Sequence, residues 1–194
     1  MCGRYFIEID DEELNSRYGF INHFENSPGD KAPSKPSLVV TNTGFKSMRW
    51  GFPIKDKLLI NARGETIMHK PAYSKSFYSR RCLVPASLFY EYNNGIKYSI
   101  SLRDKSMFSM AAIHNLFYDE KLGSINSFVI ITTEANCDIL PIHPRMPVIM
   151  PRELEKYYLD EAADVKEIQK LLVPLKAGQL SVVPSEGISQ LSLF

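Results

Sequence analysis

A chain of 194 residues with a formal net charge of +1 is long enough to bury a full core, and too nearly neutral for a histone-like electrostatic binder. With 44% hydrophobic and 23% charged residues it has the make-up of an ordinary globular protein, and it carries no low-complexity run. Three cysteines, Cys2, Cys82 and Cys137, have no CxxC spacing, so neither a disulfide framework nor a metal site is indicated, and no cofactor is implied. The N-terminal stretch MCGRYFIEIDDEEL turns acidic too early for a signal peptide, and no apolar run approaches membrane-spanning length. These features predict a reducing, cytoplasmic setting with no membrane partner, for a monomer of one domain over residues 1–194.

In chain order, Asp10 to Tyr18 reads as a short helix with Asp10 as its cap and acidic residues in its first turn. Residues 26 to 37 hold three prolines and a glycine and read as a loop. Short β-like runs follow at Leu38–Thr41, Phe45–Trp50, Leu58–Asn61, Cys82–Pro85, Leu88–Tyr92, Lys97–Leu102, Phe108–Ile113 and Phe128–Thr132. Asn94-Gly95 is the sharpest hairpin signal, and a second hairpin turns at Asp119–Ser124. Helical patterns return at Arg152–Leu159, just after Pro151, and at Asp164–Leu172, before a last β run at Leu180–Val183. The predicted class is α+β, with a bent, barrel-like antiparallel sheet and a few peripheral helices.

Cys2 follows the initiator methionine, which aminopeptidases generally remove before small residues. Removal would put a free α-amine (pKa near ~8) and a thiol (near ~8.5) on adjacent carbons. That pair suits aldehydes: the amine condenses to an imine, and the thiol closes a five-membered thiazolidine. Position alone leaves open an incidental cysteine at a frayed terminus. Asn61 and Arg63 end an apolar run. The amide can orient an amine and the guanidinium can fork onto phosphate, or Arg63 and Glu65 can form a structural pair. Within Phe89-Tyr90-Glu91-Tyr92, alternation puts Glu91 on the Phe89 face, where desolvation would suit it to general acid work; a solvent-facing glutamate is the alternative. His143 and Arg145 lie in the run Ile142-His143-Pro144-Arg145-Met146-Pro147, whose two prolines stiffen the backbone. His143 can move protons, and Arg145 can contact phosphate or hold a loop carboxylate. Trp50 offers either a stacking platform for an unpaired base or a core residue. His23, His69 and His114 read as structural or surface residues, and Cys82 and Cys137 as inert buried thiols.

In order along the chain, MCGRY at the start, RWGF at 49–52, NARGET at 61–66, RRCLVPASLFYEY at 80–92, MAAI at 110–113, ITTEAN from 131 and IHPRMPVIM to 150 resemble the SOS response-associated peptidase (SRAP) family, known for processing abasic sites. The resemblance implies a thiazolidine between Cys2 and the aldehyde of an abasic deoxyribose in single-stranded DNA. It implies Asn61, Glu91 and His143 as active-site companions, Arg4 and Arg63 on flanking phosphates, and Trp50 near a neighbouring base. It also implies a bent β-barrel-like fold with a groove for nucleic acid, and a protein that is nucleoid-associated when bound to DNA. Three rival readings remain: an N-terminal-nucleophile thiol hydrolase, a protease acting through Cys2 that removes its own Met1, and a non-catalytic nucleic-acid-binding module.

Overall fold

The computed structural model describes residues 2–20, 28–120 and 123–185; Met1, His23, part of the loop from residue 26 and most of the tail lie outside them. The strands are β1 (Tyr5–Ile7), β2 (Gly29–Lys31), β3 (Pro36–Thr41), β4 (Gly44–Trp50), β5 (Phe52–Ile54), β6 (Lys57–Leu59), β7 (Asn61–Arg63), β8 (Arg81–Ala86), β9 (Leu88–Asn93), β10 (Ile96–Leu102), β11 (Phe108–Asp119), β12 (Gly123–Glu134), β13 (Arg145–Pro147), β14 (Ile149–Met150) and β15 (Leu180–Ser185). The helices are α1 (Asp11–Tyr18), α2 (Ser74–Ser79), α3 (Glu155–Leu159) and α4 (Val165–Lys170).

Strands β12, β4, β3, β8 and β11 pair in that order, and β11 pairs back onto β12, closing a five-stranded barrel. A second sheet runs β15-β10-β9-β1-β2. The barrel-like antiparallel sheet expected from the pattern is present, with two parallel pairings among the described residues, both on β12: to β4 and to β7. Alternation sends successive residues of each barrel strand into different clusters. Leu38, Val40, Leu83 and Ile131 pack with the helices through Leu14, Phe77, Tyr158 and Ile168. Val39, Cys82, Val84 and Ile130 pack toward the second sheet with Cys2, Tyr5, Phe89 and Ile100.

Local chemistry explains the elements that were legible. The Asp10 carboxylate accepts the Glu13 N–H at 2.7 Å and caps α1. Asn94 and Gly95 take φ of 49° and 79°, the two left-handed residues of a twist-matched hairpin turn between β9 and β10. The segment after Pro151 is a 3-10 turn (Arg152–Leu154) leading into α3. The loop expected over 26–37 is overturned in part, because Gly29–Lys31 pairs with β1 and β3 begins at Pro36. Strands β11 and β12 outrun their apolar stretches because each supplies the other's hydrogen bonds out to Asp119↔Gly123.

Gly51 turns the chain from β4 into β5 with φ +112°, and a Cβ there would lie 2.6 Å from Leu58 Cγ. Backbone strain and overpacking each cost about 1–3 kcal/mol, so Gly51→Ala should lower unfolding stability by about 2–6 kcal/mol. Urea melts check this; an unchanged midpoint would mean that the Leu58 side chain yields and the turn tolerates a Cβ.

Candidate active site

The site begins with β9. Its inward residues are Phe89 and Glu91, while Tyr92 on the other face is 51% exposed. Phe89 belongs to the cluster of Cys2, Tyr5, Trp50 and Phe128, so the strand that buries Phe89 carries Glu91 in with it, leaving it 3% exposed. Burial raises the Glu91 carboxyl above the usual range, and the electrostatic influence of the nearby His143 acts against that rise. The result is a carboxyl that keeps its proton closer to neutrality than a solvated one.

β1 delivers Cys2 to the same place. Tyr5 pairs with Phe89, and the Tyr90 N–H donates to the Arg4 carbonyl at 3.0 Å. Continuing that antiparallel register backward sets Gly3 opposite Glu91, with Cys2 next to it. Cys2 is fully buried; burial pushes its thiol well up, and the Glu91 charge adds to the effect. The thiol therefore keeps its proton.

His143 comes from the turn before β13. The Asn136 side-chain oxygen accepts the N–H groups of Asp138 and Ile139, and the His143 N–H donates to the Ile139 carbonyl, which together make the turn rigid. The Asn93 amide donates to the Pro141 carbonyl at 3.0 Å and ties the turn to the end of β9. The Arg145 N–H donates to His143 Nδ1 at 3.0 Å, and the Arg145 carbonyl is 3.1 Å from the same nitrogen. A neutral ring accepts the first bond and carries its proton on Nε2; a protonated ring can donate to the carbonyl. The Arg145 backbone thus fixes the imidazole through Nδ1.

Asn61 enters from β7, which lies parallel on β12 with Asn61 opposite Ile130. Ile130 packs in the cluster that holds Cys2, so the Asn61 side chain shares that face of the sheet. Both polar atoms of its amide are buried, and neither has a hydrogen-bond partner among the described residues. A buried polar group left unsatisfied costs about 1–3 kcal/mol. A bound ligand or an ordered water could satisfy such a deficit. Asn61, Arg63, Thr66, Lys70 and Tyr73 line an adjoining cavity of about 400 Å³. Arg63 is exposed, and Arg4, 45% exposed, lies 3.8 Å from Asp30 in a loose pair.

Three expectations are corrected. Trp50 is fully buried, stacked on Phe128 at 6.2 Å with its indole N–H donating to the Ile60 carbonyl at 3.0 Å, so it offers no face to a base. Arg145 does not reach outward for phosphate. Its guanidinium forks onto Glu65 at 2.7 and 2.9 Å and also donates to the Thr132 carbonyl, locking the NARGET turn to β12. Burial would raise the Glu65 carboxyl, but the Arg145 hydrogen bonds outweigh it and hold it below the ordinary range. Cys137 is exposed rather than buried; Cys82 is buried as expected. Sequence reasoning also missed Tyr73, whose hydroxyl donates to the Asn61 carbonyl at 3.1 Å. A tyrosine twelve positions away with no periodic pattern around it gives no local signal of that bond.

The sequence profile described as SOS response associated peptidase (SRAP) matches residues 1–187. The chain belongs to the SRAP family. It is 34% identical over 202 residues to the abasic site processing protein YoqW of Bacillus subtilis strain 168, covering 93% of this chain and 90% of that one. It is 31% identical over 201 residues to the abasic site processing protein YoaM of the same organism, covering 93% and 88%. Among solved structures, a protein from Bacteroides thetaiotaomicron superposes with a TM-score of 0.83 at 24% identity, over 94% of this chain and 91% of that one. A protein from Bordetella bronchiseptica gives a TM-score of 0.83 at 20% identity, over 95% and 100%. The SRAP match spans Cys2, Asn61, Glu91 and His143, together with the Trp50 and Arg145 contacts that hold their neighbours in place.

Proposed function

We propose that this SRAP protein processes abasic sites, capturing the lesion in single-stranded DNA through a covalent bond to Cys2. The observation that carries the reading is the burial of Cys2 beside Glu91 at the head of β1. Hydrolysis of the Met1 peptide bond first frees the Cys2 α-amine. The abasic sugar, mostly a closed hemiacetal, opens to its aldehyde with proton transfer at the ring oxygen, for which the protonated Glu91 carboxyl is suited. The amine adds to C1′ and water leaves, giving an imine. The thiol then adds across the imine: sulfur bonds to C1′, and the thiol proton passes to nitrogen. His143 relays protons with Glu91, and the Asn61 amide orients the amine and the sugar. All reacting atoms belong to Cys2 and the deoxyribose, so the chemistry uses no cofactor. The relatives named abasic site processing proteins support the substrate assignment.

Intact-mass analysis tests this directly. After heating to release reversible imines, the mature chain incubated with an abasic oligonucleotide should retain one species equal to the sum of the two masses less one water, and the chain retaining Met1 should retain none. Failure of the mature chain to form that species under native conditions would reject the reading.

Arg4 and Arg63 are the phosphate contacts in this proposal, which fits a protein of net charge +1 that must bind through a few local groups. Each phosphate neutralised on a single strand contributes about −0.7 to the slope of log affinity against log salt, so two give about −1.4. Arg63→Ala should bring the slope to about −0.7. Salt titrations with an undamaged oligonucleotide read the slope. Tighter binding to a blunt duplex than to a single strand of equal length would contradict a single-strand groove.

A further inference from the structure

We infer that Trp50 and Tyr73 are positioning residues that clamp the backbone on both sides of Asn61, and so aim its unpartnered amide into the site. The inference rests on the reading of Asn61 proposed above. Trp50 Nε1–H donates to the Ile60 carbonyl at 3.0 Å, and the Ile130 N–H donates to the same oxygen at 3.2 Å. The Tyr73 hydroxyl donates to the Asn61 carbonyl at 3.1 Å. The peptide planes before and after the Asn61 Cα are thus each held by a side chain from outside β7, and fixing both planes fixes the direction of the Asn61 Cβ. This matters because the amide itself has no hydrogen-bond partner among the described residues. A side chain without hydrogen-bond partners of its own is directed by its backbone and its packing.

Both donors are themselves immobilised. Trp50 is wedged between Phe128 at 6.2 Å and Tyr5 at 5.4 Å. Tyr73 packs on Phe52 at 6.2 Å, and its carbonyl accepts the Phe77 N–H at the start of α2. Burial raises the Tyr73 phenol, which keeps its donor proton across the working pH range. The buried tryptophan therefore serves the site from behind, through a carbonyl.

The test is a double-mutant cycle on single-turnover crosslinking, using the mature chain and an abasic oligonucleotide. Tyr73→Phe should lower the maximal rate about 3- to 10-fold, the range for one neutral hydrogen bond, with the half-saturating oligonucleotide concentration unchanged. In an Asn61→Ala background, Tyr73→Phe should have no further effect, because its only route to the reaction is then gone. Trp50→Phe, which keeps a stacked ring and removes the N–H, should follow the same pattern when read below its melting midpoint. Losses that multiply in the double variant would overturn the clamp, as would a Tyr73→Phe chain at the parental rate. An Asn61→Ala chain at the parental rate would instead reject the role of Asn61 itself, and the clamp with it.

Discussion

Cys2→Ala is expected to leave no heat-stable adduct with an abasic oligonucleotide. The substitution retains the N-terminal α-amine, so a reversible imine still forms there, but no thiol remains to close the ring. Ring closure by a thiol on the adjacent carbon draws on an effective molarity of ~10⁵ M or more, so its loss should cut the stable adduct by at least about 10³-fold. Borohydride separates the two stages: it should trap the imine of the variant in yields comparable to the parent, while boiling without borohydride releases all of the DNA. A thermal melt controls for the change in the core, since Cys2 is fully buried. An undiminished heat-stable adduct from Cys2→Ala would sink the thiazolidine chemistry, whatever the other variants do.

Glu91→Gln should slow adduct formation by about 10²–10⁴-fold, the usual contribution of a general acid. The shape of the pH profile is a stricter criterion than the rate. The reactive parent form has Glu91 protonated and the amine neutral. Because burial raises the carboxyl, the protonated form persists above the ordinary carboxylate range and is then depleted as pH climbs further. The parent rate therefore falls on the alkaline side once the amine is fully neutral. Glu91→Gln loses that fall and stays level there, because only the amine still titrates. Stability follows the same linkage. A carboxyl whose pKa is raised by folding stabilises the fold while it holds its proton, and that contribution is lost as pH rises through its folded pKa. Relative to the parent, Glu91→Gln should thus melt at a similar temperature near pH 4 and at a higher one near pH 8. If the variant reacts at the parental rate over the whole range, Glu91 is not the acid.

Sequence by itself determined what short-range chemistry and two-residue periodicity can specify. The cap of α1 at Asp10, the Asn94-Gly95 turn and the inward pairing of Phe89 with Glu91 each depend on residues within a few positions of one another. The β-rich class was equally legible, because the long strands carry short runs rich in apolar residues between turn signals. Tertiary structure alone decided the rest. β1 and β2 have three residues each and no periodic signal; they are strands because β9 and each other supply hydrogen bonds. Residue type marked Trp50 as either a platform or core, and only the closure of the barrel against the second sheet, which buries it on Phe128, chose core. Arg145 had two chemically equivalent partners, a phosphate or a carboxylate, and the fold brought Glu65 to it from eighty positions away. Cys2 lies 89 positions from Glu91, and no local pattern links an N-terminal cysteine to a glutamate on an aromatic strand; the antiparallel seating of β1 on β9 does. Local energetics select which residues go inside, whereas the pairing of distant segments selects which of those inside residues meet.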